Sequence, residues 1–523
     1  MTFIRIALSL IHFWLCHPAL LYGIAFLLGL FCHLEDAPWL IIIPCLSLWL
    51  PFLIAAAHRK HREMLKPLAL SLLTFLTAWC YASVHYSFPR LPPEGILGNA
   101  HIKIRSISLQ YSLFGDRWLY RCELQQFFPR TSSQSIVLSF PCLIYLPVEQ
   151  TQRKPRPLAH HDYWIFGKLI QKDKGTYLLK VSSKTSWTAI QDSWSWSEQR
   201  YQWKRKIGKW IESQFSHPLS GSFLAGLATG EFDDYWMRQQ FARFGLQHIL
   251  AISGFHFAII AGFLSFLLRM FLSQRTRFLS LLFFLGAYCF FLGPQPSILR
   301  AWIMCSLTLF GGLIDKQTNA LNSLGIALLA ILGYNPLLCQ ELGFQLSFST
   351  TAAILLFYHP ALTWLNTLLP KRRLSDVMQM NHWNQHGYCI LAFLRQGLAL
   401  TLAVNTFALP LTLYYFHQFP SMSFLYNLFF PFLASASLCL LLLGGLLAFI
   451  PFLAENLHRL NDAYTYFILQ LTYQVPSEMD AYLTLESFSP FWIILYLCCA
   501  CLVGILWREM SSEHSQMESF AFI

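Results

Sequence analysis

Charge is what this sequence has least of. Asp, Glu, Lys and Arg together make up 12% of its 523 residues, about half the share of a soluble domain. That shortfall excludes an ordinary soluble globular class for most of the chain. Acid is scarcer still: 26 Asp and Glu stand against 37 Lys and Arg, for a net charge of +11. A basic excess fits positive cytoplasmic loops, a polyanionic partner, or both. No C-x-x-C pair suggests zinc or redox chemistry, because twelve of the 14 cysteines, Cys498 and Cys499 among them, sit in apolar stretches. No G-x-x-x-x-G-K-[ST] phosphate loop occurs, so energy for directed movement must come from a partner or from the proton-motive force. The apolar start, Met1 to Cys16, is followed by no small-residue cleavage site, which reads as an uncleaved lead-in helix rather than a signal peptide.

What the chain has in plenty is apolar length. Hydrophobic residues make up 55% of it, and a helix needs about 20 apolar residues to cross a bilayer. Runs near that length occur around 18–33, 38–57, 67–84, 247–268, 278–293, 297–314, 319–334, 342–359, 389–409, 424–450 and 490–507. The stretch 463–476 is short, and Asn461, Asp462 and Gln470 make it amphipathic, so the expectation is eleven or twelve spans. Basic clusters in 58–66 (Arg59, Lys60, Arg62, Lys66), 269–277 (Arg269, Arg275, Arg277) and 371–373 are separated by even numbers of spans. All three then lie in the cytoplasm with the N-terminus. The side of the C-terminus depends on whether 463–476 spans.

Segment 86–216 has a different texture and falls on the extracytoplasmic side of that scheme. His101–Ser108, Trp118–Leu124, Ser135–Leu146 and Tyr177–Val181 alternate as short strands between Pro, Gly, Ser and Asp. A small barrel or sandwich follows, and an oligonucleotide-binding-type barrel is one candidate of that size. Cys122 and Cys142 are the two cysteines in this polar region. In an oxidising compartment they form a disulfide; two unpaired thiols are the other reading. Trp196, Trp203 and Trp210 then recur every seven residues beside Lys204, Arg205, Lys206 and Lys209. That spacing suits an amphipathic helix lying at lipid headgroups, or a stacking platform for nucleotide bases beside a basic track.

Polar groups also enter the apolar runs. Gly245-Leu-Gln-His248-Ile-Leu-Ala-Ile-Ser253-Gly254-Phe-His256 opens a run with a small-residue stripe of Ala251, Gly254, Ala258, Ala261, Gly262 and Ser265. Such stripes let helices approach closely, with Gly254 as a packing requirement. His248, Ser253 and His256 need a cavity or a partner there; on one continuous helix they share half of its surface. Arg300 sits about one turn into a run that follows Pro294 and Pro296. It either lines a wet path or snorkels to the interface. Asn322, Glu341, Gln345, Asn405 and Asn427 suit interhelical hydrogen bonds.

The stretch HILAISGFHFAIIAG resembles the signature of the ComEC competence family. Further segments are similar in the same order: LAGLATGEFDDYWMRQQFARFGLQH upstream, then PSILRAWIM, LNSLGIALLAILGYNP, LGFQLSFSTTAAILL and LPLTLYYFHQFPSMSFLYNLFFPFLAS downstream. The strong resemblance covers about 218–450, and a weaker one covers 90–181 around Asp162 and Gly167-Lys168. It implies a bacterial inner-membrane channel that passes single-stranded DNA into the cytoplasm. His248, Ser253, Gly254, His256 and Arg300 are then the channel or motif residues, with Gln345 and Asn427 secondary. Single-stranded DNA and membrane lipid are the implied partners, together with separate DNA-delivery, nuclease and motor proteins. No cofactor or metal is expected. The His/Asp cluster of the metallo-β-lactamase-like domain that ends many family members is absent, so no nuclease or other enzyme activity is expected. A transporter of lipid or a small solute, suggested by Pro431 and Gly444-Gly445 in apolar segments, is the first rival. An intramembrane hydrolase built on Ser253 and His256 is the second.

The sequence thus divides into a three-span region 1–85, a β domain 86–186, a Trp-rich helix 187–216, a multi-span channel domain 217–510 and a polar tail 511–523. The fold class is a polytopic α-helical membrane protein with an inserted small β-barrel.

Overall fold

The structure is a computed structural model that describes residues 2–520 apart from 35–37, 57–62, 87–90, 111–114, 131–135, 149–155, 174–175, 183–184, 192, 233, 253 and 373. Helix α1 (Thr2–Cys16) meets α2 (Pro18–Leu34) at 97°. Pro18 opens α2 without an N–H to continue the first helix. Asn322 holds the bend from a neighbouring helix: its Oδ1 accepts from Ala19 N–H and its Nδ2 donates to Cys16 O, each at 3.1 Å. That helix, Ala320–Tyr334, lies against α2 through Gly325, where an added Cβ would fall on the backbone of Ala19 and Leu20. Helices α3 (Ile42–Ala56) and α4 (Leu65–His85) complete the first group.

Six strands follow: β1 (Ile96–Gln110), β2 (Arg117–Pro129), β3 (Ile136–Pro147), β4 (Asp162–Asp173), β5 (Thr176–Lys180) and β6 (Trp187–Ile190). The first five close into a barrel in the order β1-β2-β3-β5-β4-β1; β3 and β5 run parallel and the other pairs antiparallel. Strand β6 adds to β4 outside the ring. Register shifts at His101/Ile102 and Ile104/Ser106 bend β1, so that it pairs with β2 along its length and with β4 over Ile96–Ile102. Alternate side chains fill the inside, among them the fully buried Tyr120, Phe127, Phe140 and Tyr177. Cys122 and Cys142 face each other across β2 and β3, and both are buried. Their thiols are free, so the disulfide reading is not the one the structure carries.

Helix α5 (Ser197–Glu212) fastens the barrel to the rest. At its start, Ser195 and Ser197 hydroxyls each donate to Ile104 O at 2.9 Å. Glu198, fully buried, accepts from Arg156 Nη1 and Nη2 at 2.9 and 2.6 Å and from Ala159 N–H at 3.0 Å. Arg156 also lies over the rings of Trp118 and Tyr201, at 4.9 and 5.0 Å. Burial acts against the Glu198 carboxylate, but the Arg156 fork and the Ala159 N–H outweigh it and hold the carboxyl below its usual range. The face of α5 packed on protein carries Tyr201, Lys204 and Ile211; Trp203, Ile207 and Trp210 point away from it. Lys204 is therefore not part of an outer basic track. Burial lowers its pKa, and its ammonium donates to Glu231 at 3.2 Å.

The remaining helices are α6 (Pro218–Thr229), α7 (Tyr235–Arg243), α8 (Gln247–Leu250), α9 (Gly254–Arg269), α10 (Gln274–Leu292), α11 (Pro296–Leu313), α12 (Ala320–Tyr334), α13 (Leu342–Leu368), α14 (Leu374–Met378), α15 (His382–Phe416), α16 (Ser423–Leu446), α17 (Pro451–Tyr473) and α18 (Pro490–Phe520). Among the described residues, seven helices are long and apolar enough to cross a bilayer: Trp39–Ala56, α4, α10, α11, α15, α16 and Pro490–Met510. The bent α1–α2 pair makes eight if it counts as one span. This is fewer than the eleven or twelve expected from hydropathy. The run 247–268 is broken at residues 251–252 and continues as the 16-residue α9, and 319–334 is the 15-residue α12. In α13, Gln345, Ser347, Ser349, Thr350 and Thr351 dilute the apolar run. The doubtful 463–476 belongs mostly to α17, whose buried face carries Asn461, Asp462 and Thr465. A multi-pass membrane protein with an inserted barrel is the resulting architecture.

Candidate functional site

The small-residue run at 245–256 does not form one continuous helix, so His248 and His256 stand on different helices. Gly245 turns the chain with φ +64°, a left-handed conformation open to glycine, and packs on Ser423 and Pro420. His248 then lies exposed on the short α8, with Nδ1 3.2 Å from Gly245 O. After the break, Gly254 begins α9 and His256 is buried, its ring edge-on to Phe255 at 6.4 Å. Ser253 lies outside the described residues. Farther along the stripe, a Cβ on Gly262 would meet nothing within 4 Å, so close helix approach is confined to the Gly254 end.

What Gly254 approaches is Arg300. A Cβ there would lie 2.9 Å from Arg300 Nη2 and 3.7 Å from Ala301 Cβ. Pro296 starts α11, and Ser297 Oγ donates to Ile252 O at 3.2 Å, tying the start of α11 to the break. Four residues into the helix, Arg300 turns inward rather than snorkelling and keeps 8% of its surface exposed. Its Nη1 donates to Ser347 O on α13, while its Nε is buried without a partner. Among the described residues no carboxylate pairs with it. The guanidinium borders a cavity of about 200 Å³ whose walls include Gly254, Phe257, Ala258, Met304 and Thr351. A buried cation with spare donors beside a cavity suits an anionic group.

The other expected residues lie apart from this cavity. Gln345 sits on the same helix as Ser347, but its Nε2 donates to Cys339 O at 3.1 Å and its Oε1 accepts from Tyr415 OH, so it ties α13 to α15. Asn427 Nδ2 donates to Ser423 Oγ at 2.8 Å beneath the Gly245 turn, and its Oδ1 is buried without a partner. Among the described residues, Asn405 bonds within its own helix, to Thr401 O at 2.9 Å.

Two further polar groups carry contacts that the sequence does not show: Arg395, and Asp462, which the sequence marks only as making 463–476 amphipathic. Arg395, 4% exposed in α15, donates to Leu369 O at 2.9 Å; its signal was a lone Arg within an apolar run. Asp462 Oδ2 accepts from Ser216 N–H at 2.9 Å, from His217 N–H at 3.2 Å and from the His217 ring at 3.1 Å, which fixes the start of α6. Sequence distance hid that role, because the partners lie more than 240 residues apart.

The competence protein family model matches residues 230–510, which take in α7 to the apolar part of α18 and hence the whole Gly254–Arg300 neighbourhood. ComE operon protein 3 of Bacillus subtilis (strain 168) is 29% identical over 184 residues, 35% of this chain and 20% of that protein. The matched region thus spans about a fifth of the relative's own length. No solved structure matches significantly. With more than half of its residues inside the family's bounds, the chain belongs to the competence protein family, of the ComEC type.

Proposed function

We propose that this protein conducts single-stranded DNA across the bacterial inner membrane during DNA uptake. The observation that carries the reading is Arg300: buried, without a carboxylate, and facing a cavity that Gly254 keeps open. A polyanion crossing a bilayer needs a cationic or hydrogen-bonding lining, and an unpaired guanidinium with a free Nε supplies one. The barrel supports the same reading. Its closed order of five strands with one parallel pair fits an oligonucleotide-binding-type barrel, and on this reading that is what it is. Lys66 in the cytoplasm by the positive-inside rule, with the one span α4 between it and the barrel, supports an extracytoplasmic barrel. The chain then acts as a conduit rather than an enzyme. Separate proteins deliver the DNA, process its other strand and drive its movement.

The test is uptake of labelled DNA into the cytoplasm of cells that lack this gene and carry wild type, Arg300→Ala or Arg300→Lys at equal abundance. Loss on deletion, rescue by wild type and failure of Arg300→Ala fit the proposal. Unchanged uptake after deletion would sink it and turn attention to lipid or small-solute transport.

A further inference from the structure

A second cavity, larger than that at Arg300, lies where the barrel meets the helices. Its volume is about 380 Å³, and its walls come from two directions. Gln110, Arg117 and Tyr145 stand at the ends of β1, β2 and β3, which are neighbours in the barrel. Tyr235 and Arg238 stand on α7, and Gln247 lies just before His248. Among the described residues no carboxylate lines the space, while two guanidiniums do.

Local structure accounts for why those guanidiniums are free. Asp234 caps α7, accepting from Trp236 N–H at 2.8 Å and Met237 N–H at 3.2 Å, so its charge is spent on the helix start. At the other end of α7, Arg243 forms a forked pair with Asp480, with bonds of 2.9 Å from Nε and 2.8 Å from Nη2. The pair pins α7 to the segment after α17. Arg238, between these two, has no side-chain hydrogen bond among the described residues, and its Nε is buried without a partner. Arg117 is exposed at the start of β2 and likewise unpaired. Buried donors are nearly always satisfied, so an orphaned Nε facing a polar cavity points to a ligand.

The chemistry of the walls narrows that ligand. Two arginine forks suit phosphate oxygens, two tyrosine rings offer stacking faces, and the glutamine amides donate or accept without selecting one base. We propose that this cleft seats the phosphodiester backbone of single-stranded DNA, with Arg117 and Arg238 on the phosphates and Tyr145 and Tyr235 against the bases. The inference rests on the conduit reading above and adds a second, outer station to it. Gln247 joins this cleft to the segment that leads through His248 to Gly254 and the Arg300 cavity. A strand leaving the barrel therefore meets the helical region at this cleft.

The test uses the purified full chain in nanodiscs of zwitterionic lipid and a short fluorescein-labelled oligothymidylate, with binding followed by anisotropy over a range of salt. Each phosphate contact contributes about 0.7 to the slope of log affinity against log salt for single strands. Arg117→Gln with Arg238→Gln should therefore flatten the slope by about 1.4, and each single change by half as much. Lys172→Gln, exposed on β4 away from the cleft, should leave the slope unchanged. The double Arg→Lys variant should keep the slope while binding more weakly, because an ammonium replaces a fork. Wild-type binding with an unaltered slope in the Gln double variant would overturn the cleft and leave the conduit standing. A slope lost equally in the Lys variant would overturn it as well. Failure of wild type to bind the oligonucleotide at any salt would take both readings down.

Discussion

Arg156, half-buried at the barrel joint against the fully buried Glu198, and Arg300, buried in the helical region, have opposite surroundings. Arg156 has a carboxylate fork, two aromatic faces and a backbone carbonyl within reach. Arg300 has one backbone carbonyl, an orphaned Nε and a cavity. A fully partnered buried charge acts as a rivet, because removing either member leaves the other stranded. An under-partnered one has donors to spare for something that comes and goes. The same side chain is thus structural in one region and available in the other, and the neighbours decide which.

The sharpest way to break this comparison is at the rivet. Glu198→Ala should destabilise the barrel and its junction with α5 by about 3–5 kcal/mol, the usual result of stranding a buried partner. Thermal unfolding of the full chain in detergent would measure it. Uptake should fall only as far as folded protein falls. Acid probes the same pair. The folded-state pKa of Glu198 lies below its ordinary value of 4.5, so its contribution is complete above that pH and is lost as pH falls through the folded value. Glu198→Gln should therefore lose less stability than wild type on acidification below about pH 4.5. A variant with the same acid limb as wild type would show that the pair is no rivet.

Next comes Arg300→Ala. Loss of one preorganised donor is worth about 3 kcal/mol, or about 100-fold in rate. Uptake per folded molecule should drop by that order while membrane insertion holds. If folded protein fell in step with uptake, Arg300 would be a rivet too and the contrast would collapse.

The rivet was invisible in the sequence, and the reason is physical. Arg156 and Glu198 sit on opposite sides of β4, β5 and β6, and nothing local announces that closing the barrel brings them together. Strand β4 was hidden by its own composition. Tyr163, Ile165 and Leu169 point inward, but Trp164 and Phe166 point outward, which blurs the alternation that marked β1, β2 and β3. The apolar runs were legible because helix length and hydropathy are local properties. The break at 251–252 was not, because Ala251 and Ile252 are as apolar or small as the residues around them. Gly254 stands out in the sequence as a packing residue; that its neighbour is Arg300 required the fold.

A smaller effect is expected at Gly325, where α2 and α12 touch backbone to backbone. Gly325→Ala forces the two helices apart, and overpacking of this kind costs about 1–3 kcal/mol. Neither Arg156 nor Arg300 lies on that contact, so uptake per folded molecule should stay at the wild-type level. A fall in uptake without loss of folded protein would mean that the α2–α12 contact reaches the Arg300 cavity.

The smallest effect separates two aromatic surfaces. Trp203 and Trp210 are exposed on α5, at 37% and 47%, whereas Tyr145 and Tyr235 line the cleft with the unpaired arginines. The basic residues nearest the tryptophans are partly committed: Lys204 to Glu231 and Arg205 to the Tyr201 hydroxyl at 2.9 Å. Base stacking needs phosphate-binding charge close by, and the cleft has it while the outer face of α5 has mainly Lys206 and Lys209. Trp203→Ala with Trp210→Ala should thus leave single-strand affinity unchanged and stability within about 0.5 kcal/mol, as for exposed positions elsewhere. Their work is then at the headgroups, where Trp196 already rests edge-on against Phe290 of α10 at 5.5 Å. Stacking on these tryptophans would instead appear as a loss of about 1–3 kcal/mol per base, about 5- to 150-fold in affinity. That outcome would move the nucleic-acid surface from the cleft to the outer face of α5.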